Sequence, residues 1–119
     1  MVMFNELLTI NTGATLKWVF YVLDNDNTSM PITGYEFKMQ VRNSQSLDAR
    51  VILDCTEYLD YTTYANTGIV ILSVPHTVTA ALVGNNSNAF YDLKVKDTAG
   101  EVFIVSQGKA AINGSVTAF

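Results

Sequence analysis

Apolar and polar side chains alternate without interruption from Tyr35 to Arg42, with Tyr35, Phe37, Met39 and Val41 on one side and Glu36, Lys38, Gln40 and Arg42 on the other. A period of two buries one face of an extended chain and wets the other, so the segment predicts a half-buried strand. The same period returns over 89–96, where Tyr91, Leu93 and Val95 oppose Asp92, Lys94 and Lys96. From Ala14 to Leu23 both faces are apolar: Leu16, Trp18, Phe20 and Val22 fall on one side, Val19, Tyr21 and Leu23 on the other, and Lys17 is the lone charge. Gly68 to Val74 is a second apolar run, stopped by Pro75. Strands of this kind are central in a sheet or covered by a partner.

The turn chemistry fits between these runs. Asp24-Asn25-Asp26-Asn27 supplies side chains that bond their own backbone, and Ile32-Thr33-Gly34 closes a hairpin-like connection to the 35–42 strand. Asp97-Thr98-Ala99-Gly100 joins the 89–96 strand to an extended run over 102–112 as a hairpin, with Gly108 predicting a bulge or bend. His76 to Val83 places Val78 and Leu82 one helical turn apart before Gly84, a stop signal, and so predicts a short helical crossover. Val51-Ile52-Leu53 reads as a short strand, and Tyr58, Tyr61 and Tyr64 lie in a polar stretch suited to a surface loop. About seven short strands with regular turns predict an all-β fold, an antiparallel immunoglobulin-like β-sandwich without the Cys-Trp-Cys pin. One short helical crossover is placed near residues 76–83, and the whole of 1–119 is read as a single domain.

Composition supports the strand-rich reading. Thirteen threonines, thirteen valines and seven isoleucines stiffen the chain at χ1 and favour strands over helices. Charged residues are only 15% of the chain, against about a quarter in ordinary soluble domains, so much of the polar surface comes from neutral side chains. The formal net charge of −4, with seven scattered Lys and Arg, argues against nucleic-acid binding. Neither a membrane-spanning run nor a signal-peptide pattern is found, which predicts a soluble protein made in a cytoplasm with no membrane partner.

Candidate chemistry is sparse. His76 is the single histidine and has no nucleophile motif to serve. Cys55 is the single cysteine, so neither an internal disulfide nor a Cys/His metal cluster is available. Asp24-x-Asp26-x-Thr28 begins like a calcium loop, but Ser29 stands at the glycine position and Tyr35 at that of the terminal glutamate, with Glu36 one residue late. Asp54 with Glu57, and Asp97 with Glu101, are carboxylate pairs in turns, where solvation is the rule. The sequence therefore predicts no catalytic residues, no cofactor, no metal and no enzyme activity. Sequons at Asn27, Asn85 and Asn113 carry no meaning without a secretory route. Trp18, Phe20, Phe37 and Tyr91 are read as core, whereas Tyr58, Tyr61, Tyr64 and Phe90 are exposed candidates for contact with a ligand or partner. Val19, Tyr21 and Leu23 are the candidate interface, because a contiguous apolar patch is rare on a soluble monomer.

The order of motifs resembles a known family. Ile32-Thr33-Gly34, Phe37-Lys38-Met39-Gln40-Val41-Arg42, Asn66-Thr67-Gly68-Ile69-Val70-Ile71 with Val74-Pro75, Tyr91-Asp92-Leu93, Asp97-x-x-Gly100 and Gly108 are similar to immunoglobulin-like modules of bacteriophage virions. The resemblance is to the amino-terminal domain of siphophage upper baseplate proteins and related prophage tail proteins, over residues 13–117. It implies a structural virion protein of tail, baseplate, neck or capsid decoration, made in the bacterial host cytoplasm and assembled with other virion proteins. It also implies a homo-oligomer, a trimer among the options. The alternative from another class is a module of the same fold that binds a host-surface glycan or protein.

Overall fold

A computed structural model describes residues 1–82 and 86–117, residues 86 and 87 by their backbone alone. Among the described residues nine strands form two layers. They are β1 (Phe4–Asn5), β2 (Leu8–Asn11), β3 (Leu16–Tyr21), β4 (Glu36–Arg42), β5 (Val51–Asp54), β6 (Leu59–Asp60), β7 (Ile69–Val74), β8 (Asn86–Lys96) and β9 (Val102–Asn113). Sheet A has the order β1-β9-β8-β4-β5, with β2 also on β9, and sheet B the order β3-β7-β6. This is the immunoglobulin-like sandwich: β3, β7 and β6 answer to strands B, E and D, and β9, β8, β4 and β5 to G, F, C and C′.

The predicted strands fall where the periodicities put them. In β4 the buried residues are Phe37, Met39 and Val41; in β8 Ala89, Tyr91, Leu93 and Val95. Across the sandwich they meet Leu16 and Phe20 of β3 and Val70, Leu72 and Val74 of β7. Trp18 is half-buried, its ring 6.1 Å from that of Phe20. The helical crossover is one turn, α1 (His76–Thr79), held by the Thr79 hydroxyl, which donates to the Ala14 carbonyl at 2.8 Å. Gly84 and the Asn85 sequon lie outside the described residues.

Three expectations are corrected. The connection over 24–34 is not a hairpin: β3 pairs with β7 and β4 with β8 and β5, so this stretch carries the chain from one sheet to the other. The sandwich is not wholly antiparallel, because β1 and β2 run parallel to β9. Gly108 is not the bulge. The register slips between Leu93↔Ser106 and Lys94↔Ile104, which leaves Val105 as the extra residue. Gly108 instead admits the N-terminal strand, since a Cβ there would lie 2.3 Å from the Glu6 carbonyl oxygen.

Candidate functional site

The acidic turns are occupied by their own backbone. One Asp24 oxygen accepts the amides of Asp26 (2.9 Å) and Thr28 (3.1 Å), and the other accepts the Thr28 hydroxyl at 2.6 Å. These bonds, that from the Thr28 hydroxyl foremost, hold the carboxyl below its ordinary pKa. Asp97 likewise accepts the amides of Ala99 and Glu101, so the Asp97 and Glu101 pair is turn architecture. Asp54 accepts the Thr56 amide and the Gln40 side chain, whose bonds outweigh partial desolvation and lower its pKa. His76 is exposed at the start of α1. Among the described residues no group of three or more His, Cys, Asp or Glu is disposed to hold a metal ion.

Cys55 is fully buried after β5, where its backbone amide donates to the Met39 carbonyl at 2.9 Å. Burial, with the Asp54 charge beside it, pushes the thiol pKa up to about 12, which suits packing and not nucleophilic chemistry.

The four aromatic candidates do not form one site. Tyr58 and Tyr61 are half-buried against the core, and the Tyr61 ring lies 5.1 Å from that of Phe37, so the reading of both as exposed is corrected. The polar stretch is anchored by these rings because its two 3-10 turns, Thr56–Tyr58 and Ala65–Thr67, and β6 fold it back onto β7. Tyr64 is exposed. Phe90 belongs to the other layer, half-buried on the outer face of sheet A, so its reading as exposed is corrected as well.

The candidate interface divides in a similar way. Val19 and Tyr21 are 43% and 54% exposed on the outer face of sheet B, opposite the half-buried Ile71 and Ile69 of β7. Leu23 is half-buried, bridged to Ser29, with its carbonyl accepting the Val2 amide at 3.0 Å. β3 and β6 are the two edge strands of sheet B among the described residues.

One concave feature was not legible in any sequence motif. A groove of about 350 Å³ lies on the outer face of sheet A, floored by β4 and β8 and walled by the β4–β5 connection over 43–50. Arg42 holds that wall: its guanidinium donates to the carbonyls of Leu47 (2.9 Å) and Ala49 (2.7 Å) and to the Gln40 side chain (2.7 Å). Lys38, Lys94, Gln107 and Phe90 line the groove beneath it. A period-two reading places each of these on the wet face of its strand, but their convergence depends on strand pairing.

No protein-family model and no curated protein matches the chain. Among solved structures it is similar to Tim-1, with a TM-score of 0.47 at 10% identity over 96% of this chain and 97% of that one. It is also similar to the extracellular domain of the voltage-gated sodium channel beta4 subunit (TM-score 0.40, 8% identity, 94% and 93% covered) and to murine CRIg (0.40, 16%, 93% and 93%). The immunoglobulin-like assignment stands on the strand order of the two sheets.

Proposed function

We propose that this chain is a non-enzymatic structural module that acts by symmetric self-association and by binding other proteins through its sheet faces. Its proposed setting is a bacteriophage virion, as a component of tail, baseplate, neck or capsid decoration, a reading supported by the resemblance of its motif order. The observation that carries the reading is the outer face of β3. Val19 and Tyr21 stand exposed beside Ile69 and Ile71, on a strand that among the described residues has β7 as its one ladder partner. An apolar patch on an open edge is a liability that soluble proteins normally block, and a second copy related by closed symmetry covers it.

Sedimentation velocity on the purified protein tests this. An assembly of two or more copies is expected for the wild type, and a folded monomer for Tyr21→Lys. A wild type that stays monomeric at high concentration overturns the assembly reading. The virion setting is tested apart, by antibodies against the chain applied to purified phage particles, where absence of labelling overturns it.

The second reading, a module that recognises a host-surface glycan or protein, is favoured by a different observation: the groove beside Phe90.

A further inference from the structure

The cations of this chain are unevenly placed. Lys38, Arg42, Lys94, Lys96 and Lys109 all stand on the outer face of sheet A, on β4, β8 and β9, together with the carboxylates Glu36, Asp54 and Asp92. That face carries a surplus of two positive charges. The other two cations and eight carboxylates leave the rest of the molecule with a deficit of six, which together make the net −4. An acidic protein has collected five of its seven cations on one sheet face.

Within that face Lys38 and Lys94 are direct cross-strand partners. Like charges in that position oppose sheet formation, because the Cβ atoms of opposed residues lie only about 5 Å apart. Lys94 reaches Asp92 only at 4.0 Å, and Lys38 has no ion pair among the described residues. Both lysines line the groove. Phe90 stands two residues from Asp92 on the same face of β8, with Arg42 and Lys109 as its partners on either side. Ser44 and Gln45 of the wall line the same groove, and neither side chain has a hydrogen-bond partner among the described residues.

We propose that this groove binds a carboxylate-bearing saccharide. The inference rests on the glycan reading and names its ligand class. The acid group sits between the Lys38 and Lys94 ammonium groups and relieves their repulsion; the apolar face of a pyranose ring lies on Phe90; ring hydroxyls reach Ser44 and Gln45. The volume suits such a ligand, at the lower end of the range for small-molecule sites. The floor argues against an extended peptide. Its backbone amides and carbonyls are consumed in the β5-β4-β8-β9 ladder, so an added strand would find no main-chain partners there, whereas a sugar is recognised by side chains. The molecule's net charge disfavours a nucleic acid.

The test is an NMR titration of the full chain with sialyllactose and with digalacturonate, using lactose and sodium acetate as controls. Saturable shifts at Lys38, Phe90, Lys94 and Gln107 are expected with at least one acidic saccharide, and neither control should produce them. Lys38→Gln, Lys94→Gln and Phe90→Ala should each weaken binding by about tenfold, while the melting temperature of the two lysine variants should equal or exceed that of the wild type, since each removes a cross-strand repulsion. Silence with both acidic saccharides overturns the ligand class. Equal shifts with acetate reduce the face to a non-specific anion sink, and binding of an acidic peptide in preference to either sugar transfers the groove to a protein partner. Failure of these titrations leaves sedimentation unchanged, so the groove and the self-association reading fall separately.

Discussion

The Tyr91 hydroxyl on β8 donates to the carbonyl oxygen of Glu6 at 2.8 Å, across 85 positions of sequence, and shares a second bond with the Ser106 hydroxyl at 2.9 Å. Glu6 lies between β1 and β2, where its amide also donates to the Gln107 carbonyl at 3.1 Å. One buried phenol thus ties the N-terminal strands to the two longest strands of sheet A. Tyr91→Phe is expected to destabilise the fold by about 1–3 kcal/mol, because it strands the buried Ser106 hydroxyl as well as the Glu6 carbonyl. Urea unfolding checks the value; a change below a few tenths would show that the phenol is dispensable.

Gly108→Ala should release the N-terminal strand. The added Cβ meets backbone, not a mobile side chain, so residues 4–11 must move away from β9. Hydrogen exchange is expected to rise at Leu8 and Ile10 amides while β4 and β7 stay protected. Unaltered protection of β2 would contradict the prediction.

Cys55 should be silent toward thiol reagents in the native state at pH 8 and react as one equivalent in denaturant, since the raised thiol pKa leaves almost no thiolate. The same shift sets an alkaline limit. A folded-state pKa above that of the unfolded chain contributes stability that is present below pH 9 and lost as pH rises toward 12. Tyr91, raised chiefly by burial, acts in the same direction above pH 10. Stability measured against pH should therefore fall above about pH 9.

At low pH the sign is reversed. Asp24, Asp54 and Asp60 have depressed folded-state values. Their stabilisation is present above the ordinary carboxyl pKa of 3.8 and lost as pH falls through the lower folded values. The melting temperature should decline below about pH 4, and Asp24→Asn should flatten that decline. An unchanged slope in the variant would show that the turn carries no linkage.

Chelation should leave the melting temperature where it is, because Asp24 already turns both oxygens to its own turn and, among the described residues, no group of three or more His, Cys, Asp or Glu is disposed to hold an ion. A drop of several degrees in EDTA would reopen the 24–36 loop as a metal site.

How much of this was written in the sequence depends on the range of the interaction concerned. Alternation over 35–42 and 89–96 decides which side chains face the core, because the pleat has a period of two wherever the strand is placed; Phe37, Met39, Leu93 and Val95 are buried accordingly. The two-faced apolar strand likewise puts Val19 and Tyr21 on the face turned away from the core, where both are exposed, and the asparagine- and aspartate-rich turns mark where the chain reverses. Periodicity does not say which strand lies beside which. That choice depends on contacts distant in sequence, and it alone put β1 and β2 parallel to β9, sent β3 and β4 to different sheets, and drew Tyr58 and Tyr61 onto the core. The groove belongs to the same category. Lys38 and Lys94 are merely two wet positions in two strands until antiparallel pairing sets them face to face, and a one-residue slip in register would turn the lysines toward the core.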